Sequence, residues 1–136
     1  MKKYKLKEIS NIFLSPSLTE MEDGDILYIK PKNIKENKIS YNELSRAIYD
    51  KNRNIEKYFL KKGDIIFRAK GTNFYATLID KDVERLISSQ IFFNIRITIL
   101  DLYPEFLLLQ LNNKYNKQYF EENSHGKIVK IIKKEY

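Results

Sequence analysis

The chain has 136 residues, 25 Lys plus Arg against 18 Asp plus Glu, and a formal net charge of +7, which is enough length for one domain with a real core and little for two. Hydrophobic residues at 43% and aromatics at 13% mark a folded chain and not a disordered tail. With no cysteine there are no disulfides, thiolate zinc sites or cysteine nucleophiles; the single histidine, His125, excludes a multi-histidine cage, and no apolar run approaches the roughly 20 residues of a membrane span.

The basic start, Met1 to Lys5, has no apolar signal region behind it, so the chain reads as soluble and cytoplasmic. Lys5 to Ile9 alternates as a strand does, and Pro16 then breaks the chain. Asp23-Gly24 is a turn that opens a compact apolar strand over Asp25 to Ile29, ended by Pro31. Ser40 and Glu43 have capping-box spacing, with Leu44, Ala47 and Ile48 at helical intervals, which predicts a short helix.

Lys62-Gly63-Asp64 feeds a strand over Ile65 to Arg68, and Lys70-Gly71-Thr72 turns the chain into a second strand over Phe74 to Ile79. The pair predicts a hairpin with a basic, amide-rich segment at its tip. Ile91, Phe93, Ile95 and Ile97 alternate with Phe92, Asn94, Arg96 and Thr98, the clearest period-two stretch in the chain. Pro104 suits the first turn of a helix that Asn112-Asn113 ends. A second helix is expected over Tyr115 to Glu122, and a last strand over Lys127 to Ile132. The predicted class is α+β, mostly antiparallel strands with two or three short helices.

A basic balance favours a polyanionic partner. The charge is uneven: residues 50–75 hold seven basic side chains, Lys51, Arg53, Lys57, Lys61, Lys62, Arg68 and Lys70, against Asp50, Glu56 and Asp64. Asn52, Asn54, Tyr58, Thr72, Asn73 and Tyr75 are interleaved with them. Cations hold phosphates, while amides, hydroxyls and rings meet base edges. A solvated lysine-rich face beside a strand is the alternative.

Several segments match one family in order. Leu60 to Thr72, LKKGDIIFRAKGT, resembles the "LKxGDILFxxxGS" segment of specificity subunits from type I restriction-modification systems. Leu6 to Ile9 resembles that family's opening "KLGDI" strand, and Gly24 to Ile34 its "GDIPYIRxxDI" strand and loop. Ser88 to Arg96 resembles the segment ending "IVLRP", Leu102 to Asn112 resembles "xxxPxYLxYYLN", and Ser124 to Val129 resembles the return strand.

The resemblance implies a target recognition domain, an α/β unit that grips duplex DNA and reads half of a bipartite site, mainly through loops. It implies a host-defence role with no catalysis and no cofactor of its own. A partner methyltransferase subunit carries S-adenosylmethionine, and a separate restriction subunit cuts. The family continues into a spacer helix that docks the methyltransferase. This chain ends at Tyr136 ahead of it, so residues 1–136 are expected to form a single recognition domain lacking that helix. A homodimer would rebuild a two-part site.

The candidate DNA contacts are Lys30, Lys32, Lys51, Lys61, Lys62 and Lys70 for phosphates, and Asn52, Arg53, Arg68, Asn73 and Gln90 for base edges, with Asn33 as a further DNA-binding candidate. Gly71 and Thr72 belong to the cationic loop, and Tyr75 or Phe74 suits a thymine methyl or a sugar. Each has a plainer reading: Arg68 paired with a carboxylate, Gln90 satisfying backbone groups, Tyr75 in the core, His125 as a loop residue. Glu121-Glu122 and Glu20 to Asp23 read as solvated faces, and no P-loop, GxGxxG or HExxH supports an enzyme. The competing function is a protein-interaction module that docks on a restriction-modification subunit without binding DNA, using an exposed apolar patch on the helix around Leu107 to Leu111. RNA binding is disfavoured by the lack of RNA-type aromatic stacking signatures.

Overall fold

The computed structural model describes residues 2–68, 75–113 and 128–131. In chain order the elements begin with β1 (Lys2–Lys5), a single helical turn α1 (Leu6–Ile9), β2 (Ser10–Leu14), β3 (Thr19–Glu20) and β4 (Ile26–Ile29). A short hairpin follows, β5 (Ile34–Lys35) and β6 (Lys38–Ile39), then β7 (Ser45–Ile48). The second half holds β8 (Ile65–Arg68), β9 (Tyr75–Leu78), β10 (Leu86–Ser88), β11 (Phe92–Ile97), the helix α2 (Pro104–Asn112) and β12 (Ile128–Ile131).

Two four-stranded sheets carry the fold. The first, in order β2-β11-β8-β9, is antiparallel throughout. The second, β10-β4-β7-β3, is antiparallel except for the parallel pair β10 and β4. β1 pairs with β12. The architecture is the α+β, mainly antiparallel class that the sequence predicts.

One face of the first sheet, with Ile65, Phe67, Ala76 and Ile95, packs against α1 and α2 through Leu6, Ile9, Leu107 and Leu111. The opposite face, with Ile66 and Phe92, packs against Ile29 and Leu86 of the second sheet. β11 is therefore covered on both sides. Phe92 and Asn94 are fully buried on one face and Ile95 is 1% exposed on the other, with only Phe93 near the strand's start exposed, so its alternation does not separate a wet face from a dry one. Asn94 is tolerated inside because Ser88 Oγ donates to its Oδ1 at 2.6 Å and its Nδ2 donates to Ser15 Oγ at 2.9 Å.

The strand over Ile26–Ile29, the β8–β9 hairpin, β11 and the Pro104 helix agree with the sequence reading. Two expectations are corrected. Lys5 to Ile9 is a strand end followed by a helical turn that buries Leu6 and Ile9. Tyr41–Glu43 is one 3-10 turn with no side-chain cap from Ser40, and the residues expected to continue a helix form β7. Ala47 decides the second case. It is fully buried with Ile26 and Ile87 and pairs in register with both Ile26 and Glu20, so tertiary packing overrides the local signal. The same contact demands Gly24, where an added Cβ would lie 2.3 Å from the Ala47 carbonyl oxygen. The helix expected over Tyr115 to Glu122 and the turn at His125 and Gly126 lie outside the described residues.

Tyr41 ties the β6 side to the end of β9. Its hydroxyl donates to Asp80 Oδ1 at 2.7 Å and accepts from the Asp80 N–H at 3.2 Å. Burial, then the hydrogen bond and charge of Asp80, raise its pKa above the ordinary 10.0. The folded state thus favours the neutral phenol. Its contribution is complete below pH 10 and is lost as pH rises above that value. Tyr41→Phe is expected to cost about 1 kcal/mol near neutrality, with the gap to wild type narrowing in denaturant titrations run above pH 10.

Candidate nucleic-acid interface

Strand direction sorts the polar residues into two ends of the paired sheets. At the upper end β2, β4, β8 and β10 finish, and β7, β9 and β11 begin. Hydrogen bonds join the two sheets there: Ser15 and Ser88 hydroxyls lie 3.0 Å apart, and Gln90 Nε2 donates to the Ser15 carbonyl at 3.3 Å. At the lower end β8 and β10 begin, with the Leu60 N–H donating to the Leu86 carbonyl at 2.8 Å.

The basic segment over residues 50–75 is therefore divided between the two ends. Lys51, Asn52, Arg53, Lys61 and Lys62, all exposed, sit at the lower end. Arg68 and Tyr75 sit at the upper end, separated from the lysines by the length of β8, roughly 13 Å of strand. Lys70, Gly71, Thr72 and Asn73 lie outside the described residues, and Arg68 and Tyr75 bracket them in the chain.

The upper end collects residues from four elements. Lys30 and Lys32 follow β4, Arg68 closes β8, Tyr75 opens β9, and Gln90 precedes β11. Lys32 and Gln90 are exposed, and Lys30 is ion-paired with Glu20. The Arg68 guanidinium lies over the Tyr75 ring at 5.9 Å, across the register pair of β8 and β9. Its Nε is buried with no hydrogen-bond partner among the described residues, so Arg68 stacks on a ring where a carboxylate partner was the plainer expectation. Tyr75 is half-buried against the core that contains Ile66 and Phe92. Gln90 does satisfy a backbone carbonyl, in line with its plainer reading.

Asn33 is corrected. It is 1% exposed, its Oδ1 accepts from the Lys30 N–H at 2.8 Å and its Nδ2 donates to the Glu43 carbonyl at 3.0 Å. The amide is spent on backbone and has no free edge for a base.

The lower end is built differently. Gly63, at φ +98°, takes the left-handed conformation that closes the Lys61–Asp64 turn. Asp64 is 3% exposed and holds three groups. Its Oδ2 accepts from the Lys61 N–H at 2.8 Å and from Arg96 at 2.7 Å, and its Oδ1 accepts from Arg96 Nε at 2.9 Å. Arg96 also donates to the Phe59 carbonyl at 2.9 Å and lies over the Phe13 ring. A shallow cleft of about 490 Å³ opens beside this turn, lined by Phe59 to Lys61 and Asp82 to Arg85. Asp82 and Glu84 offset Lys61 and Arg85 there, and Arg85 is already paired with Asp25 at 2.9 Å. Mixed charge of that kind is a poor phosphate surface.

Two other features bear on function. The helix α2 buries Leu107 and Leu111 completely and exposes Leu109 at 68%, so the apolar patch expected over Leu107 to Leu111 is mostly core. Exposed apolar residues gather elsewhere, at Leu100 and Tyr103 ahead of α2 and at Ile12, Leu14 and Phe93 on the paired strands β2 and β11. Sequence reasoning also passed over Lys35 and Lys38, both exposed on the β5–β6 hairpin. Among the described residues no helix is long and apolar enough to cross a membrane, and no three His, Asp or Glu side chains cluster as metal ligands.

No family model and no curated protein matches the sequence. Solved structures do match the fold. An HsdS subunit from Thermoanaerobacter tengcongensis superposes with a TM-score of 0.64 at 12% identity over 94% of this chain. The S subunit of a type I restriction-modification system from M. genitalium superposes with a TM-score of 0.57 at 14% identity over 97%. This chain spans about a third of each, 32% and 34% of their lengths. At these identities the likeness is one of fold.

Proposed function

We propose that this chain is a non-catalytic recognition module that binds duplex DNA in a sequence-specific manner and directs a partner methyltransferase of a type I restriction-modification system. The observation that carries the reading is the gathering of Lys30, Lys32, Arg68, Tyr75 and Gln90, from four separate elements, at one end of the two sheets. Lysines there suit phosphates, and a ring-stacked arginine and a glutamine suit guanine and adenine edges. The fold likeness to two S subunits supports the same reading. On this view the interface is the upper end, and the lower-end lysines stand apart.

Selection from randomised duplex DNA, with sequencing of the retained fraction at low and at physiological salt, tests this. A short enriched motif at physiological salt is the expected outcome. Binding at low salt alone, with no enrichment, would mark a generic basic surface and remove the specificity claim. Absence of binding at both would favour the second reading, a docking module, for which the exposed Ile12, Leu14 and Phe93 offer an apolar contact.

A further inference from the structure

The β5–β6 hairpin stands beside the proposed interface and is more rigid than its size implies. Each strand is two residues, with Ile34 opposite Ile39 and Lys35 opposite Lys38. The loop is Glu36 and Asn37, at φ 50° and 62°. Two positive φ values at the centre of a two-residue loop are the pattern of a type I′ turn, whose usual sequence is Asn-Gly. Asparagine tolerates that region, whereas glutamate adopts it at a steric cost. Strain of this sort persists where the surroundings over-determine the conformation, and it gathers at functional sites.

The surroundings here do over-determine it. At the tip, Thr77 Oγ1 donates to Asn37 Oδ1 at 3.0 Å; Thr77 is fully buried in β9, two residues from Tyr75 and on the same face. At the base, the buried Asn33 amide ties Lys30 to Glu43, and the Ser40 N–H donates to the Asn33 carbonyl at 2.8 Å. This locked hairpin presents Lys35 and Lys38 to solvent, with Lys32 just before it. Lys35 meets Glu43 only at 3.5 Å with both side chains more than half exposed, a contact weak enough to exchange for a phosphate. Lys32 and Lys38 have no ion-pair partner among the described residues.

We propose that the hairpin is a second, preformed contact to the DNA phosphate backbone, in which Lys35 and Lys38 each hold a phosphate beside the site read from Arg68 and Tyr75, and Thr77 positions the tip. This rests on the DNA-binding reading of the upper end. The partner is the duplex backbone, so these contacts add affinity and orientation without sequence preference.

The test is equilibrium binding of the whole chain to mixed-sequence duplex DNA between about 0.05 and 0.3 M salt, where each phosphate contact contributes about 0.9 to the log–log slope. Lys35→Gln with Lys38→Gln is expected to reduce the slope by about 1.8 and the affinity near physiological salt by about tenfold. Thr77→Val changes no charge; it is expected to lower wild-type affinity about threefold and to have no further effect once both lysines are gone. A purely structural threonine would not show that dependence. If Thr77→Val melts early, Asn37→Gly removes the same bond from an exposed position and keeps the positive φ of the turn. An unchanged slope in the lysine double variant, with binding still lost in Lys32→Glu/Arg68→Gln, overturns the hairpin contact and leaves the DNA reading standing. Failure of the wild type to bind duplex DNA, or tighter binding to duplex RNA of the same sequence, overturns both.

Discussion

Replacing Asp64 by alanine is expected to lower stability by about 3 kcal/mol, and the melting temperature by about 10 °C for a domain of this size. The effect comes from what the carboxylate leaves behind. Asp64 is 3% exposed and Arg96, the partner it grips through two bonds, has a side chain 29% exposed. The Asp64 hydrogen bond raises the Arg96 pKa above the ordinary guanidinium value, burial opposes this, and the charge attraction to Asp64 adds to the rise. A raised value of that kind contributes stability at every pH below the unfolded value, so no accessible pH switches it off. Without Asp64 the guanidinium stays charged, half-buried and short of its acceptor, and the Lys61 N–H loses its acceptor as well. Asp64→Asn keeps an acceptor for Lys61 and removes the charge, so it is expected to fall between wild type and alanine. Urea unfolding of the three proteins checks the order. A near-neutral alanine variant would mean that the pair is no more than a surface contact.

The sequence makes some of this plain and hides the rest for identifiable reasons. β4, the β8–β9 hairpin and α2 are each announced by a local punctuation mark, Asp23-Gly24, Gly63 and Pro104. β7 is hidden because its reason is Ala47, which fits between Ile26 and Glu20 of strands distant in the chain; nothing in Ser40 to Ile48 records those partners. The parallel pairing of β10 with β4 is likewise non-local, and it is what brings Gln90 to the same end as Lys30. Asn33 reads as a DNA-contacting amide because side-chain chemistry is visible in a sequence and burial is not.

The division of the basic segment lies within reach of the sequence. A residue that precedes a strand and one that closes it stand at opposite ends, so Lys61 and Lys62 before β8 cannot share a tip with Arg68 at its close. Counting charge along the chain merges them; counting along the strand separates them. At the lower end Lys61 then lies beside Asp82, Glu84 and the Asp64–Arg96 clamp, while the upper end keeps the exposed Lys32 and a ring-stacked arginine.

That separation sets the largest expected effect on binding. Lys32→Glu with Arg68→Gln is expected to weaken DNA binding by about a hundredfold near physiological salt, since an arginine at a base edge is worth about 1–3 kcal/mol and a reversed phosphate contact adds a repulsion. Lys61→Glu with Lys62→Glu is expected to change it less than about threefold, because those charges act across roughly 13 Å of strand, beyond a Debye length of about 10 Å. Both pairs have exposed or half-exposed side chains, and the Lys61 bond to Asp64 runs through the backbone N–H, which Lys61→Glu keeps, so circular dichroism melts should match the wild type closely enough to compare affinities. The two variants also differ in kind. Losing Arg68 should flatten the preference among bases at one position of any selected motif, whereas losing a phosphate lysine weakens all sequences alike. The reverse ranking, with the Lys61/Lys62 pair abolishing binding and the Lys32/Arg68 pair retaining it, would move the interface to the cleft side of the molecule. It would also give the Asp64–Arg96 clamp a second role, holding a phosphate-binding turn in place.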